Sequence, residues 1–160
     1  VFKLKEAVTV FADVEQQQPL YTISADRVID FSARYTFHDT AGNEIGSVKR
    51  QGAKSLWKSH YDVYDGEQIV ANIQEENAWV KVLDALFSEI PIAGIFAGYV
   101  FNPAYLISKP DGQLIVKLKK QPAFLQSNFT IEEAVDINSA AEIRTVLAII
   151  MMTLLERTRG

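Results

Sequence analysis

The stretch Ser139–Arg157, SAAEIRTVLAIIMMTLLER, decides what kind of fold this chain can have. Ser139 and Glu142 stand three residues apart, the form of a capping box in which each side chain satisfies the other's orphan backbone donor, so a helix is expected from Ala140. Beyond it, Val146, Leu147, Ile149, Ile150, Met151, Met152, Leu154 and Leu155 spread around the helical wheel at about 100° per residue and leave no apolar gap wider than roughly 60°. A helix with no polar face belongs in a large core or in a membrane. The uncharged run from Thr145 to Leu155 is about half of the roughly 20 residues needed to cross a bilayer, and Arg144, Glu156 and Arg157 close it at both ends. It is therefore read as a buried core helix that the rest of the chain surrounds, each fully buried large side chain contributing roughly 1.5–3 kcal/mol.

With 160 residues, 48% hydrophobic and 22% charged, the chain is long enough for a sizeable core, and residues 1–160 are expected to form a single domain. The net charge of -4 argues against a general nucleic-acid binder, because non-specific affinity for phosphate needs a positive field. The absence of cysteine excludes disulfides, thiolate metal sites, cysteine catalysis and palmitoylation, and is compatible with a reducing compartment such as the cytoplasm. Asn128-Phe129-Thr130 fits a glycosylation triplet, but it lies in an expected strand and is read as chance. The chain opens on Val1 rather than methionine and shows no signal peptide or transmembrane segment, which leaves room for an upstream segment.

Phe2 and Leu4 alternate with Lys3 and Lys5 as a short strand, and then a unit repeats. Val8 to Asp13 is followed by a polar connector and Leu20 to Asp26; Phe31 to His38 by Asp39-Thr-Ala-Gly-Asn43 and Glu44 to Arg50; Leu56 to Tyr64 by Asp65-Gly66 and Gln68 to Ile73. Asp13, Asp39 and Asp65 recur at about 26 residues, the periodicity of a repeated supersecondary unit, here strand, turn, strand. Alternation puts Tyr35, Phe37, Tyr61 and Val63 inward and Arg34, Thr36, His38, His60 and Asp62 outward. Residues 77–90 carry Trp79, Val80, Leu83, Leu86, Phe87 and Ile90 at helical spacing before Pro91, one amphipathic helix. Ile92 to Phe101 reads as a buried strand too short to span a membrane. A fourth hairpin turns at Pro110-Asp111-Gly112, and Ala123 to Glu133 gives a last strand with Phe129 and Ile131 inward.

About eleven candidate strands suffice to enclose a helix roughly 10–12 Å across, whereas an eight-stranded barrel holds only side chains. The expected fold is mainly β (α+β): a closed antiparallel barrel threaded by its C-terminal helix. A sandwich with the helix clamped between two sheets is the alternative, and it would leave part of the helix in water.

The segments Ala33-Arg-Tyr-Thr-Phe-His-Asp-Thr-Ala-Gly42, Ile45 to Arg50, Tyr61-Asp-Val-Tyr-Asp65, Lys109-Pro-Asp-Gly112, Leu118-Lys-Lys120 and Phe129-Thr-Ile131 through Asp136 resemble the LURP-one-related proteins. With the phospholipid scramblases and the tubby C-terminal domain, that family shares a barrel of about twelve strands around a central hydrophobic C-terminal helix. The likeness covers nearly the whole chain. Unlike the scramblases, this chain has no cysteine cluster for acylation and no acidic calcium loop near its end.

Catalytic motifs are missing: no His-Glu-x-x-His, Gly-x-Ser-x-Gly, phosphate loop or dinucleotide fingerprint occurs, and no catalytic residue, metal site or cofactor is expected. His38 and His60 are read as outward histidines on strands separated by the Ile45–Arg50 strand, and Glu132, Glu133 and Asp136 as solvated carboxylates. Asp39, Asp65, Asp111 and their glycines are turn formers. The candidate functional patch is basic: Lys49, Arg50, Lys54 and Lys58 between the second and third hairpins, and Lys117, Lys119 and Lys120 in the fourth. The tubby relatives use basic residues of the barrel wall to hold anionic headgroups, so the resemblance implies a non-catalytic module at a membrane surface, while lysines that only solubilise an outer face and guard strand edges are the plainer account. The alternative partner is an unidentified protein, and scramblase-like activity is the most distant expectation.

Overall fold

A computed structural model of the chain describes residues 7–26, 33–52, 60–76, 104–121 and 128–157. The expected strand at Phe2–Lys5, the amphipathic helix at 77–90, the Ile92–Phe101 strand, Lys54 and Lys58 lie outside the described residues. The chain divides into two compact units, Val1–Asn72 with Ile137–Gly160, and Ile73–Asp136.

Nine strands are described: β1 (Val8–Phe11), β2 (Pro19–Ala25), β3 (Arg34–Asp39), β4 (Glu44–Arg50), β5 (His60–Asp65), β6 (Gln68–Glu75), β7 (Ala104–Ser108), β8 (Leu114–Gln121) and β9 (Asn128–Glu133). They hydrogen-bond in sequence order from β1 to β9, so the consecutive hairpins expected from the repeat are present. That order does not close on itself among the described residues, because β1 and β9 each have a single neighbour there. The expected closed barrel of about twelve strands is thus present as an antiparallel sheet of nine.

The turns explain the order. Asp39 Oδ1 accepts from the Ala41 and Asn43 amides at 2.9 and 2.8 Å and Oδ2 from Asn43 Nδ2 at 2.9 Å, while Gly42 takes the left-handed φ of 84° that closes the β3–β4 loop. In the β7–β8 turn, Asp111 accepts from the Gln113 amide at 2.9 Å. Asp13 accepts from the Gln17 and Gln18 amides at 2.9 and 2.7 Å in the β1–β2 loop. Asp65, the third aspartate of the repeat, instead pairs with Arg144, far along the chain.

In the first unit the inner face is Ile23, Tyr35, Phe37, Val48, Tyr61 and Val63, all buried, with Tyr35, Val48 and Val63 opposite one another across three strands. Burial raises the Tyr35 phenol above its ordinary value. In the second unit Tyr105, Ile107, Val116 and Leu118 are buried. Ile131 departs from its expected inward place and is 49% exposed: it lies on β9, the last strand of the sheet order, opposite Leu118 of β8, where no further strand covers it among the described residues.

The terminal helix, α1, spans Ser139–Arg157 and packs on β3, β4 and β5. Its cap lies one residue earlier than the sequence signal: Asn138 Oδ1 accepts from the Ala141 amide at 2.9 Å, so Asn138 caps α1 and the Ser139–Glu142 box does not. Leu147, Ala148, Ile149, Met151 and Met152 are buried, as is Thr145. The helix is nevertheless not covered all round. Val146 is 40% exposed, Ile150 and Thr153 are half-buried and Arg157 is exposed, and these positions stack at helical spacing along one side. Among the described residues α1 packs on the one layer of β3, β4 and β5, and a single layer covers one side of a helix.

Two polar clasps hold α1 to the first unit. Near its start, Arg144 Nε donates to the Ile45 carbonyl at 2.8 Å and Nη2 pairs with Asp65 at 2.7 Å. Near its end, Tyr61 Oη donates to Glu156 Oε1 at 2.5 Å. Twelve helical residues cover roughly 18 Å, and the step from Asp65 back to Tyr61 covers roughly 13 Å of strand, so the clasps make α1 run along β5 in the opposite direction.

Candidate functional site

β-Strand alternation places Lys49 and Arg50 on opposite faces of β4. Arg50 is opposite Tyr61, is 6% exposed, and holds its guanidinium 5.9 Å from the Tyr61 ring centre, beside the Glu156 clasp. It belongs to the inner face and the buried wall rather than to a solvent-facing patch. Lys49 faces the other way.

On that outer face, Arg34, Lys49 and Asp62 form one row across β3, β4 and β5. Each end of the row is held. Arg34 Nη1 bonds Glu67 Oε1 at 2.8 Å and its guanidinium lies 4.3 Å from the centre of the Tyr64 ring. The hydrogen bond to Glu67 is the largest of the effects that raise the Arg34 pKa above its ordinary value, and burial is the main one that raises the Tyr64 phenol. Asp62 is 4% exposed, and its carboxylate accepts from Gln51 Nε2 and from Asn72 Nδ2 at 3.2 Å, with His60 Nε2 lying 3.3 Å from Oδ1. A buried carboxylate needs such donors, and the two amide side chains supply them. Lys49, between these two ends, has no hydrogen-bond or ion-pair partner among the described residues and stays half-buried.

The second unit disposes of its lysines differently. Lys117 pairs with Glu76 at 2.7 Å, both half-buried, and Lys119 pairs with Glu132 at 2.7 Å. Glu132, expected as a solvated carboxylate, is therefore engaged. Lys120 alternates to the opposite face of β8 and stands opposite Phe129 without a polar partner among the described residues. Among the described residues, Lys49 and Lys120 thus keep a charge without a partner, Lys117 and Lys119 are paired, and Arg50 is turned inward.

Arg34 is the residue that sequence reading left out of the patch. Its outward orientation was legible from alternation, but its place beside Lys49 depends on strand register, which the β3–β4 turn sets. His60 and Asp62 are likewise two residues apart on one strand and so share a face, a signal present in the sequence.

Chemically, with the Arg34 guanidinium engaged by Glu67, the Lys49 ammonium is the group of this row left to attract an anion, as a point charge. No helix among the described residues is long and apolar enough to cross a membrane. No curated protein and no solved structure shows a significant match to the chain. The sequence profile of the LURP-one-related family matches residues 1–153, spanning both compact units. The chain belongs to the LURP-one-related family.

Proposed function

We propose that this protein is a non-catalytic module that binds anionic lipid headgroups peripherally at a cytoplasmic membrane surface, through the outer row of Arg34 and Lys49. The observation that carries the reading is the Lys49 ammonium, without a hydrogen-bond or ion-pair partner among the described residues and held in register between the Arg34 guanidinium and an Asp62 carboxylate that accepts from Gln51 and Asn72. Lys54 and Lys58 follow closely in sequence and would add to the same charge. The reading also takes the nine described strands as most of a closed barrel of about twelve, its remaining strands lying outside the described residues. A protein-binding role is the second reading, favoured by the exposed Ile131 on β9 and by the internal neutralisation of Lys117 and Lys119.

Vesicle co-sedimentation separates the two. Binding to phosphatidylserine-containing vesicles should weaken as salt shortens the Debye length from about 10 Å at 0.1 M to about 3 Å at 1 M. A lysine near an anionic surface contributes about 1 kcal/mol, so Lys49→Gln should lower the affinity about fivefold, and adding Arg34→Gln should lower it further. Wild-type protein that ignores anionic vesicles, or variants that bind as well as wild type, would overturn the lipid reading.

A further inference from the structure

Where β2 enters the sheet and β3 leaves it, a cavity of about 420 Å³ opens in the first unit, apart from the Arg34–Lys49 row. We infer that this cavity binds a neutral sugar ring.

The first observation is irregular backbone on both sides of β3. Val10 pairs with Tyr21 but Phe11 with Pro19, so Leu20 is an extra residue in β2. Phe37 pairs with Gly46 but His38 with Glu44, so Ile45 is an extra residue in β4. Bulges break the ladder and re-aim the neighbouring side chains, and they concentrate beside functional sites. Here they flank Tyr21 and His38, both of which line the cavity.

The second observation is unspent hydrogen-bonding capacity. The Tyr21 phenol, the Thr22 and Thr40 hydroxyls and the His38 imidazole all line the cavity, and none has a hydrogen-bond partner among the described residues. Hydroxyls and a neutral imidazole each offer both a donor and an acceptor, which suits a ligand whose own groups are hydroxyls.

The third observation is charge. Among the described residues no lysine or arginine lines the cavity, which disfavours an anion. The carboxylate present, Asp39, already accepts from the Ala41 and Asn43 amides and the Asn43 side chain, so it is occupied as a turn former rather than open to a cation. The rings of Pro19 and Tyr21 supply apolar surface for the C–H faces of a sugar. The volume falls in the lower part of the roughly 300–1,000 Å³ usual for small-molecule sites.

Amide chemical shifts test the assignment. Neutral mono- and oligosaccharides of glucose, galactose, mannose and N-acetylglucosamine would each be titrated into uniformly labelled protein to about 50 mM, enough to reveal millimolar binding. At least one should produce saturable shifts confined to residues 20–22 and 38–42. His38→Ala and Tyr21→Ala should each weaken that binding at least tenfold while shifts elsewhere in the spectrum stay native, with His38→Gln as a milder variant should either perturb the fold. Three results would overturn the inference: no sugar moves these amides, the shifts persist undiminished in folded variants, or inorganic phosphate moves the same amides and the sugars do not.

Discussion

Gly46 is the residue on which the seat of Arg144 depends. A Cβ built there would lie 2.6 Å from Arg144 Cδ and 2.7 Å from the Tyr64 carbonyl oxygen, and the backbone sits at φ 146°. The missing side chain is what lets Arg144 cross β4 to reach the Ile45 carbonyl and Asp65. Gly46→Ala should therefore destabilise the protein by about 1–3 kcal/mol through overpacking, added to the backbone strain. Gly42→Ala meets open space at φ 84° and should cost only the strain, about 1–2 kcal/mol. Urea unfolding of the two variants checks the order. Asp39 gives a prediction in pH. The Asn43 side-chain hydrogen bond, followed by the backbone amides, lowers its pKa below the ordinary 3.8. The bonds of the loop are thus complete above the ordinary carboxylate value and are lost as pH falls through the depressed one. The Ala41 and Asn43 amide shifts should titrate together with a midpoint below 3.8. What was legible at this scale was chemistry that is local in sequence. The turn role of Asp39 follows from its neighbours, and the inward Arg50 follows from its place two residues after Val48, although its charge suggested an outer patch. Arg144 was not legible, because its carbonyl partner is 99 residues away.

At the scale of elements, hairpins and helix are set by different signals. β3 and β4 fall within a few residues of their expected limits because alternation and the Asp39–Asn43 turn agree. The start of α1 shows how two neighbouring signals compete: Ser139 and Asn138 are both good capping residues, and sequence alone does not rank them. Asn138 wins in the structure because its side chain reaches the Ala141 amide. Asn138→Ala should cost about 1 kcal/mol, whereas Ser139→Ala, at a helical position, should leave stability unchanged or slightly raised. Thermal melts of the two variants decide between an Asn138 cap and a Ser139 capping box. The bulges at Leu20 and Ile45 had no sequence signal, since an extra residue in a strand shows only once its partner is known.

For the molecule as a whole, the order of the strands was readable because each hairpin is local, and the sequence order of the sheet follows. Closure was not readable in the same way. It depends on pairing between strands far apart in the chain, and several expected strands lie outside the described residues. The helix wheel was apolar all round, yet which side is covered depends on the layer it meets, here β3, β4 and β5. Burying Leu147, Ile149, Met151 and Met152 contributes about 6–12 kcal/mol as an upper estimate, comparable to the whole stability of a typical domain. Whether the first unit is built on one face of α1 is decided by the melts of Met151→Asp and Val146→Asp. Met151 is 0% exposed and Val146 faces the open stripe. An unpaired carboxylate at Met151 should abolish the cooperative transition, while Val146→Asp should melt within about 4 °C of the parent. A cooperative Met151→Asp transition near the parent temperature, or equal losses in both variants, would contradict that arrangement.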